Sequence, residues 1–467
     1  SVTGALVSTT ATGTLDYDSY ASDVTYKLGG TAGSTGIGGT NTGFTTITGS
    51  GNNDTVTGTD QTYNLTALNG GNNGAVSWTS FENLTATGAS TINGGGGSSL
   101  GGSISSAVTT LGGTIQTAGS QTYTGGVTLN AATTLTSTSS GAITFGSTVD
   151  GANNLTVGTN GSGAITFVGV VGGVTPIGNL TAVAGGAIAF GPMTLVGNLD
   201  AYTTGGSITQ TGILSISGDL WVKSNAGAID FYNSGMNSLG GTVSLIDASR
   251  SNEVKLSANS IKVGTTGPSN GSIVDADSGI QGARVTIKAP SGAAILADGT
   301  QGLITADAPF DTLVASLIID TSAVNGAVGN PNTANVKTEG LRVNTSGLVV
   351  VIGQAAGDGT IMLVGDDAVQ PKYKESGDPN FRPVMYNGVQ ATNAQLAGAL
   401  DAVYLDIRNL TTEIRESGFA KENASKVLRR GVVTSAGPGQ PAVDDSSGTA
   451  GLELCDGRFG GNALTCQ

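Results

Sequence analysis

The chain has 467 residues, 77 of them Gly, with 11% charged, 5% aromatic and a net charge of −14. That length exceeds the ~100–200 residues of one compact domain. Scarce large apolar side chains exclude a thick globular core, recurring Val, Ile and Leu exclude disorder, and sparse Pro without a Gly-X-Y period excludes collagen. The acidic balance argues against nucleic acid and anionic membranes, which both demand clustered Lys and Arg.

No apolar run is long enough to span a membrane as a helix, and no strand pattern of a β-barrel translocator closes the sequence. The chain opens at Ser1 without an initiator Met or signal segment, which reads as a processed or trimmed fragment of something longer.

Near the start, Tyr17, Tyr20 and Tyr26 read as packing that closes one end of the structure, with a carbohydrate or partner surface as the alternative. Gly49-Ser50-Gly51-Asn52-Asn53-Asp54-Thr55-Val56 looks like one unit of a calcium-binding nonapeptide. That site takes ligands from consecutive turns, so one unit is a weak signal. Weaker strand-like stretches follow at Asn64–Leu68, Phe81–Ala86, Gly113–Gln116 and Gly126–Leu129.

The strongest signal is a repeat. Gly141-Ala142-Ile143-Thr144-Phe145 returns unchanged at Gly163–Phe167, then as Gly186-Ala187-Ile188-Ala189-Phe190, Gly206-Ser207-Ile208-Thr209-Gln210 and Gly227-Ala228-Ile229-Asp230-Phe231. A second motif interleaves with it: Asn154-Leu155-Thr156-Val157, Asn179-Leu180-Thr181-Ala182, Asn198-Leu199-Asp200-Ala201 and Asp219-Leu220-Trp221-Val222.

Each motif alternates inward and outward positions, as a half-buried strand must. Ile143, Phe145, Ile165, Phe167, Ile188, Phe190, Ile208 and Ile229 form the candidate core. Corners such as Thr159–Gly163 and Thr203–Gly206 supply residues that accept positive φ. Stacked coils of about 21 residues then pair strand over strand ~4.8 Å apart around a narrow core. Further strands at Gly241–Leu245, Ile261–Val263, Ala283–Ile287, Leu341–Val343 and Leu348–Ile352 extend this all-β parallel β-helix over 1–368.

Pro371, Pro379 and Pro383 mark a charged linker over 369–390. Leu396, Leu400, Val403, Ile407, Leu410 and Ile414 then fall at the spacing of an amphipathic helical seam, predicting a helical cap or docking segment over 391–430. The tail, 431–467, carries Cys455 and Cys466. An isolated pair in an extracellular setting favours a disulfide, with a reactive or metal-binding thiol pair as the alternative.

The two interleaved motifs over residues 60–260 and the C-terminal cysteine pair resemble the filamentous-haemagglutinin-like exoproteins of two-partner secretion in Gram-negative bacteria, including the high-molecular-weight adhesins. The resemblance implies a right-handed parallel β-helix, export through a partner outer-membrane pore, and a role in adhesion, aggregation or biofilm. It also implies that the Cys455–Cys466 loop holds the fibre at its pore. The family's N-terminal secretion domain has no counterpart in this sequence.

The resulting expectation is a non-catalytic extracellular fibre or adhesin stalk at the cell surface. Its expected partners are the secretion pore and a glycan or protein on a host or neighbouring cell, with self-association also open. No cofactor or metal is expected.

The first alternative is a filament or surface-layer subunit that stacks end to end. The second is a polysaccharide-active β-helix enzyme, which needs carboxylates on adjacent coils with Arg, Lys or His beside them. The chain has no His, and its paired carboxylates, Asp275 with Asp277, Asp366 with Asp367 and Asp444 with Asp445, lie in no catalytic pattern. Ten Asn-x-Ser/Thr triplets, Asn154 and Asn179 among them, are candidates for glycosylation or for side-chain ladders at corners.

Overall fold

The computed structural model describes residues 2–10, 12–233, 235–264, 266–267 and 279–290. Beyond these it describes 294–297, 303–308, 316–323, 335–339, 341–345, 349–352, 354–355, 361–364, 385–386 and 389–390. Every regular element among them is a β-strand. The chain divides into two compact units, Ser1–Ser217 and Gly218–Gln467.

In the first unit the coils stack through three parallel sheets, with Asn83–Gly94, Ile104–Thr117 and Val127–Ser137 running on from one sheet into the next. Gly70–Asn72 pairs antiparallel with Thr62–Ala67 and Ser77–Thr79. On the first sheet the register runs Tyr26, Val56, Leu84, Ile104, Gln121, Ile143, Ile165, Ile188, Ile208, each residue beside the next. All nine are buried. From Leu84 to Ile208 the coils are 17 to 23 residues long, matching the sequence repeat; between Tyr26 and Leu84 they lengthen to 30 and 28.

The single polar member of this ladder, Gln121, satisfies its amide within the core. Its Nε2 donates to the Thr136 carbonyl (3.0 Å) and Thr117 Oγ1 (3.2 Å), and its Oε1 accepts the Tyr123 hydroxyl (2.9 Å). Beside the ladder the rings of Tyr123, Phe145, Phe167 and Phe190 stack in sequence, with centroids 5.3, 4.7 and 5.9 Å apart. Those distances are the coil spacing itself, so one aromatic per coil fills the core continuously.

The second interleaved motif forms the third sheet, where Thr133, Leu155, Leu180 and Leu199 lie in register, as do Leu135, Val157, Ala182 and Ala201. The second sheet carries no recognisable motif. Its column is Val127, Val149, Val171, Met193, Leu214, reduced at Val171 to a single bridging residue. A strand that short has no periodicity to read, so two strands per coil were legible and the third was not. Nor do the weaker motifs keep to one sheet: Asn83–Ala86 falls on the first, Tyr63–Leu65 on the second and Gly113–Gln116 on the third. All three sheets ask for the same in-out-in triplet, so the motif alone does not assign the face.

The glycine that heads each Gly-Ala-Ile motif has a reason different from positive φ. A Cβ on Gly141, Gly163, Gly186 or Gly206 would stand 2.4–2.6 Å from backbone of the preceding coil, closer than real contacts allow. The requirement is the close approach of coils. Threonine hydroxyls complete these corners. Thr117 and Thr159 donate to the Gly119 and Gly163 carbonyls at 2.6 Å, and Thr203 donates to that of Gly186.

At the first coil of this ladder the outer edge of strand Thr25–Lys27 is covered. The Thr25 and Lys27 amides donate to Thr35 Oγ1 (2.8 Å) and Ser34 Oγ (2.9 Å), and the Thr35 amide donates to the Thr25 carbonyl (2.9 Å). Buried Asn41 donates to Ser34 Oγ (2.8 Å) and accepts the Tyr26 hydroxyl (2.6 Å). Tyr17 and Tyr26 pack into this cap, as the sequence suggested, whereas Tyr20 stays exposed against the Tyr17 ring. Polar side chains thus blunt an edge that would otherwise template another strand.

In the second unit, described by itself, the first sheet has the register Ile229, Val254, Val285, Leu317, Val349, with coils of 25, 31, 32 and 32 residues. Strand Thr242–Asp247 pairs with both Ile261–Val263 and Ile280–Gly282, which found the other two sheets. Those sheets proceed through Ala294–Ala297 and Asn335–Glu339, and through Leu303–Ala306, Leu341–Thr345 and Ile361–Val364.

Within 369–390, Met385–Tyr386 and Val389–Gln390 form an antiparallel pair. The helical seam from Leu396 to Ile414 and the cysteines Cys455 and Cys466 lie outside the described residues, as do Asp275, Asp277, Asp366, Asp367, Asp444 and Asp445.

Two predictions follow from the packing. Ile165→Ala should destabilise the protein by about 2–5 kcal/mol, because it opens a cavity in a filled column, while outward Thr166→Ala should change stability by under about 0.5 kcal/mol; denaturant unfolding measures both. Burial first, and then the neighbouring tyrosine, pushes the hydroxyls of Tyr26 and Tyr17 up to about 12. An unfolded tyrosine ionises near 10, so above that pH the unfolded state binds fewer protons and stability falls. The cap should hold below pH ~10 and open as pH rises towards ~12, followed by tyrosinate absorbance; ionisation of all tyrosines together near pH ~10 would contradict this.

Candidate functional site

Cations are unevenly placed: the first unit contains Lys27 alone, whereas residues 223–288 carry Lys223, Arg250, Lys255, Lys262, Arg284 and Lys288. The first sheet of the second unit gathers several of them. In strands Ile229–Phe231, Glu253–Ser257 and Arg284–Pro290, the inward residues Ile229, Val254 and Val285, then Phe231, Leu256 and Ile287, are buried. Strand alternation therefore turns Asp230, Glu253, Lys255 and Arg284 outward. The register sets Asp230 beside Lys255 and Glu253 beside Arg284.

These side chains line a groove of about 440 Å³ together with Ser251 and Asn252. Lys255 Nζ is 2.9 Å from Glu253 Oε1, with both side chains partly exposed. The hydrogen bond to Glu253 raises the Lys255 pKa; burial opposes it, and the charges of Glu253 and Asp230 add to the rise. A pair this exposed contributes under about 1 kcal/mol to stability. Along the same sheet Lys288 Nζ sits 5.5 Å from the centre of the half-exposed Tyr232 ring.

One wall of the groove is set from below. Buried Asp247 accepts the amides of Ser251 (2.8 Å) and Asn252 (2.7 Å) and the Ser249 hydroxyl (2.7 Å). Arg250, at φ 53°, leaves this loop to meet Asp307 and Gln281, each at 2.7 Å. The loop is therefore pinned at both its base and its tip.

The arrangement offers acceptors and donors of both charges to a polar ligand. Among the described residues no group of three or more His, Cys, Asp or Glu could hold a metal ion. Sequence reading missed this quartet because its members lie up to 54 positions apart. Only the coil register, which places Asp230 against Lys255 and Glu253 against Arg284, brings them together.

The calcium-like segment has a different explanation. Asp54 is fully buried, and its carboxylate accepts the Val24 amide (2.6 Å), the Ser50 hydroxyl (2.9 Å) and the Ser50 amide. Three protein donors thus occupy the oxygens that a cation would need.

The asparagines heading the second motif form a corner ladder. Asn154 Oδ1 accepts the Asn179 amide (2.9 Å) and Asn179 Oδ1 accepts the Asn198 amide (2.8 Å). In the second unit Asp219 Oδ1 accepts the Thr242 amide at 2.8 Å in the same manner.

A family described as repeats of unknown function (DUF5649) matches residues 177–246, a stretch that contains several of the motif copies found by inspection. No curated protein matches the chain. No solved structure matches it. Among the described residues no helix is long and apolar enough to cross a membrane.

While the Ser50 hydroxyl keeps the Ser22 carbonyl (3.3 Å), Asp54→Ala would leave the Val24 and Ser50 amides without an acceptor. It should destabilise the protein by at least about 2 kcal/mol, and EDTA should leave the wild-type melting temperature unchanged. A fall in melting temperature on chelation would restore the calcium reading.

Proposed function

We propose that this chain is a non-catalytic structural β-solenoid, a stalk or fibre segment displayed on the surface of a Gram-negative bacterium. In this reading it carries an adhesive or aggregative contact away from the cell. The observation that supports it best is the unbroken first-sheet ladder from Tyr26 to Ile208, in which backbone pairing joins every coil to the next. Such a ladder shares an axial load among several hydrogen bonds per coil, and each coil adds ~4.8 Å of reach.

Export would proceed through a separate outer-membrane pore, with the C-terminal region and its Cys455–Cys466 loop as the anchor. The contact partner would be a glycan or protein on a host or neighbouring cell. The capped edge at Thr25–Lys27 speaks against end-to-end growth through that coil, because an incoming strand would have to displace Ser34, Thr35 and Asn41.

The charged groove is the natural place to test for catalysis. The purified chain is expected to leave acidic and neutral glycans intact, and Asp230→Asn and Glu253→Gln to alter no turnover. Electron microscopy of the purified protein should show particles of one fixed length at all concentrations, and a label on this segment should decorate the cell surface. Glycan cleavage abolished by either substitution would overturn the non-catalytic reading, and particles that lengthen with concentration would favour the end-to-end filament.

A further inference from the structure

Asparagine followed by glycine is a labile pair, because the glycine amide, unshielded by a Cβ, can reach the side-chain carbonyl carbon of the asparagine and close a five-membered ring. Seven such pairs occur in the sequence. Four lie among the described residues: Asn69-Gly70, Asn73-Gly74, Asn93-Gly94 and Asn160-Gly161. All four share the same two reacting residues, so a difference in their fate must come from the fold.

Three of the four are held. Asn69 Oδ1 accepts the Gly101 amide (2.7 Å), and its Nδ2 donates to Glu82 Oε1 (2.7 Å). Asn73 Oδ1 accepts the amides of Ala75 (3.1 Å) and Val76 (2.8 Å), and its Nδ2 donates to Gln61 Oε1 (2.9 Å). The nitrogen that would attack it is engaged too, since the Gly74 amide donates to Asn72 Oδ1 (3.0 Å). Asn93 and Gly94 end the strand Asn83–Gly94, paired to a neighbouring strand on each side, and Asn93 Nδ2 donates to Asn64 Oδ1 (2.9 Å).

Asn160-Gly161 stands at a corner between the third and first sheets, and both residues are exposed. Its backbone is fixed: the Asn160 amide donates to the Ser137 carbonyl (3.0 Å), and its carbonyl accepts the Gly163 amide (3.0 Å). The side chain is not. Asn160 Nδ2 reaches only the Thr138 carbonyl, at 3.5 Å, the outer limit of a hydrogen bond. Among the described residues neither Asn160 Oδ1 nor the Gly161 amide has a partner. A free electrophile thus sits beside a free nucleophile.

We infer that Asn160-Gly161 is a site of spontaneous deamidation selected by the fold. The Gly161 nitrogen attacks Asn160 Cγ; the new N–C bond forms as the Cγ–Nδ2 bond breaks, and Nδ2 leaves as ammonia with the proton that the Gly161 nitrogen gives up. Water then adds to either carbonyl of the succinimide and opens it, leaving aspartate or isoaspartate at position 160. Each event adds one negative charge to an exposed corner. The aspartate form keeps both backbone bonds of the turn, whereas isoaspartate lengthens the main chain by one atom within it.

The corner cannot exchange its glycine for a less reactive neighbour. Gly161 has φ 58°, and a Cβ there would collide with Ser140 Oγ of the preceding coil. The geometry that closes the corner therefore retains the labile pair. This inference does not rest on the surface-stalk reading.

Peptide mapping of the purified full chain after incubation at mildly alkaline pH tests it. In the folded protein Asn160 should convert at least about tenfold faster than Asn69, Asn73 or Asn93, whose side chains must first break their hydrogen bonds. In denaturant, where local sequence alone acts, the four should convert at similar rates. Both isoaspartate and aspartate should appear at position 160, since the ring opens at either carbonyl. Equal rates among the four in the folded chain, faster conversion at one of the other three, or an Asn160 that converts only in denaturant would each overturn the proposal. Aspartate without isoaspartate would overturn it as well, by showing direct hydrolysis in place of attack by Gly161.

Discussion

In-register pairing of parallel strands between successive coils is the constraint on which everything else depends. Once Ile143, Ile165, Ile188 and Ile208 lie one above another, the core becomes a column one or two side chains across. Aliphatic residues and single stacked rings fill such a column, and larger irregular packing has no room. The same register fixes the glycines at the motif heads, because coils this close leave no space for a Cβ at Gly141 or Gly163. It also lets a corner asparagine such as Asn154 cap the next coil's backbone. Composition, spacing and corner chemistry are consequences of one pairing rule.

Much of this was legible in the sequence, for a physical reason. A triplet with a buried face must alternate, and a closed coil must repeat, so Gly-Ala-Ile-Thr-Phe returning every 20 to 23 residues already implied the first sheet. What stayed hidden was whatever lacks a local signal. The second sheet at Val171 is one residue long, and the longer coils of the second unit blur the period. The corner Thr159–Gly163 was expected to supply positive φ, and Gly161 does so (φ 58°), whereas at Gly163 and Gly186 the requirement is the approach of neighbouring backbone.

The charged groove shows the limit most clearly. Asp230, Glu253, Lys255 and Arg284 look like scattered surface residues until the register pairs the first with the third and the second with the fourth. A solenoid converts sequence separation into spatial adjacency at the rate of one coil length, so a functional group on its surface is invisible to any local motif.

Spin labels on the outward column at Thr144, Thr166 and Thr209 would test the central claim most directly. The stacked register predicts that the 144–166 pair is separated by one coil step and the 144–209 pair by three, at about 5 Å per step in addition to the label linkers. Equal or unordered separations, or a 144–166 distance of several strand spacings, would show that these motifs do not lie on adjacent coils and would contradict the account.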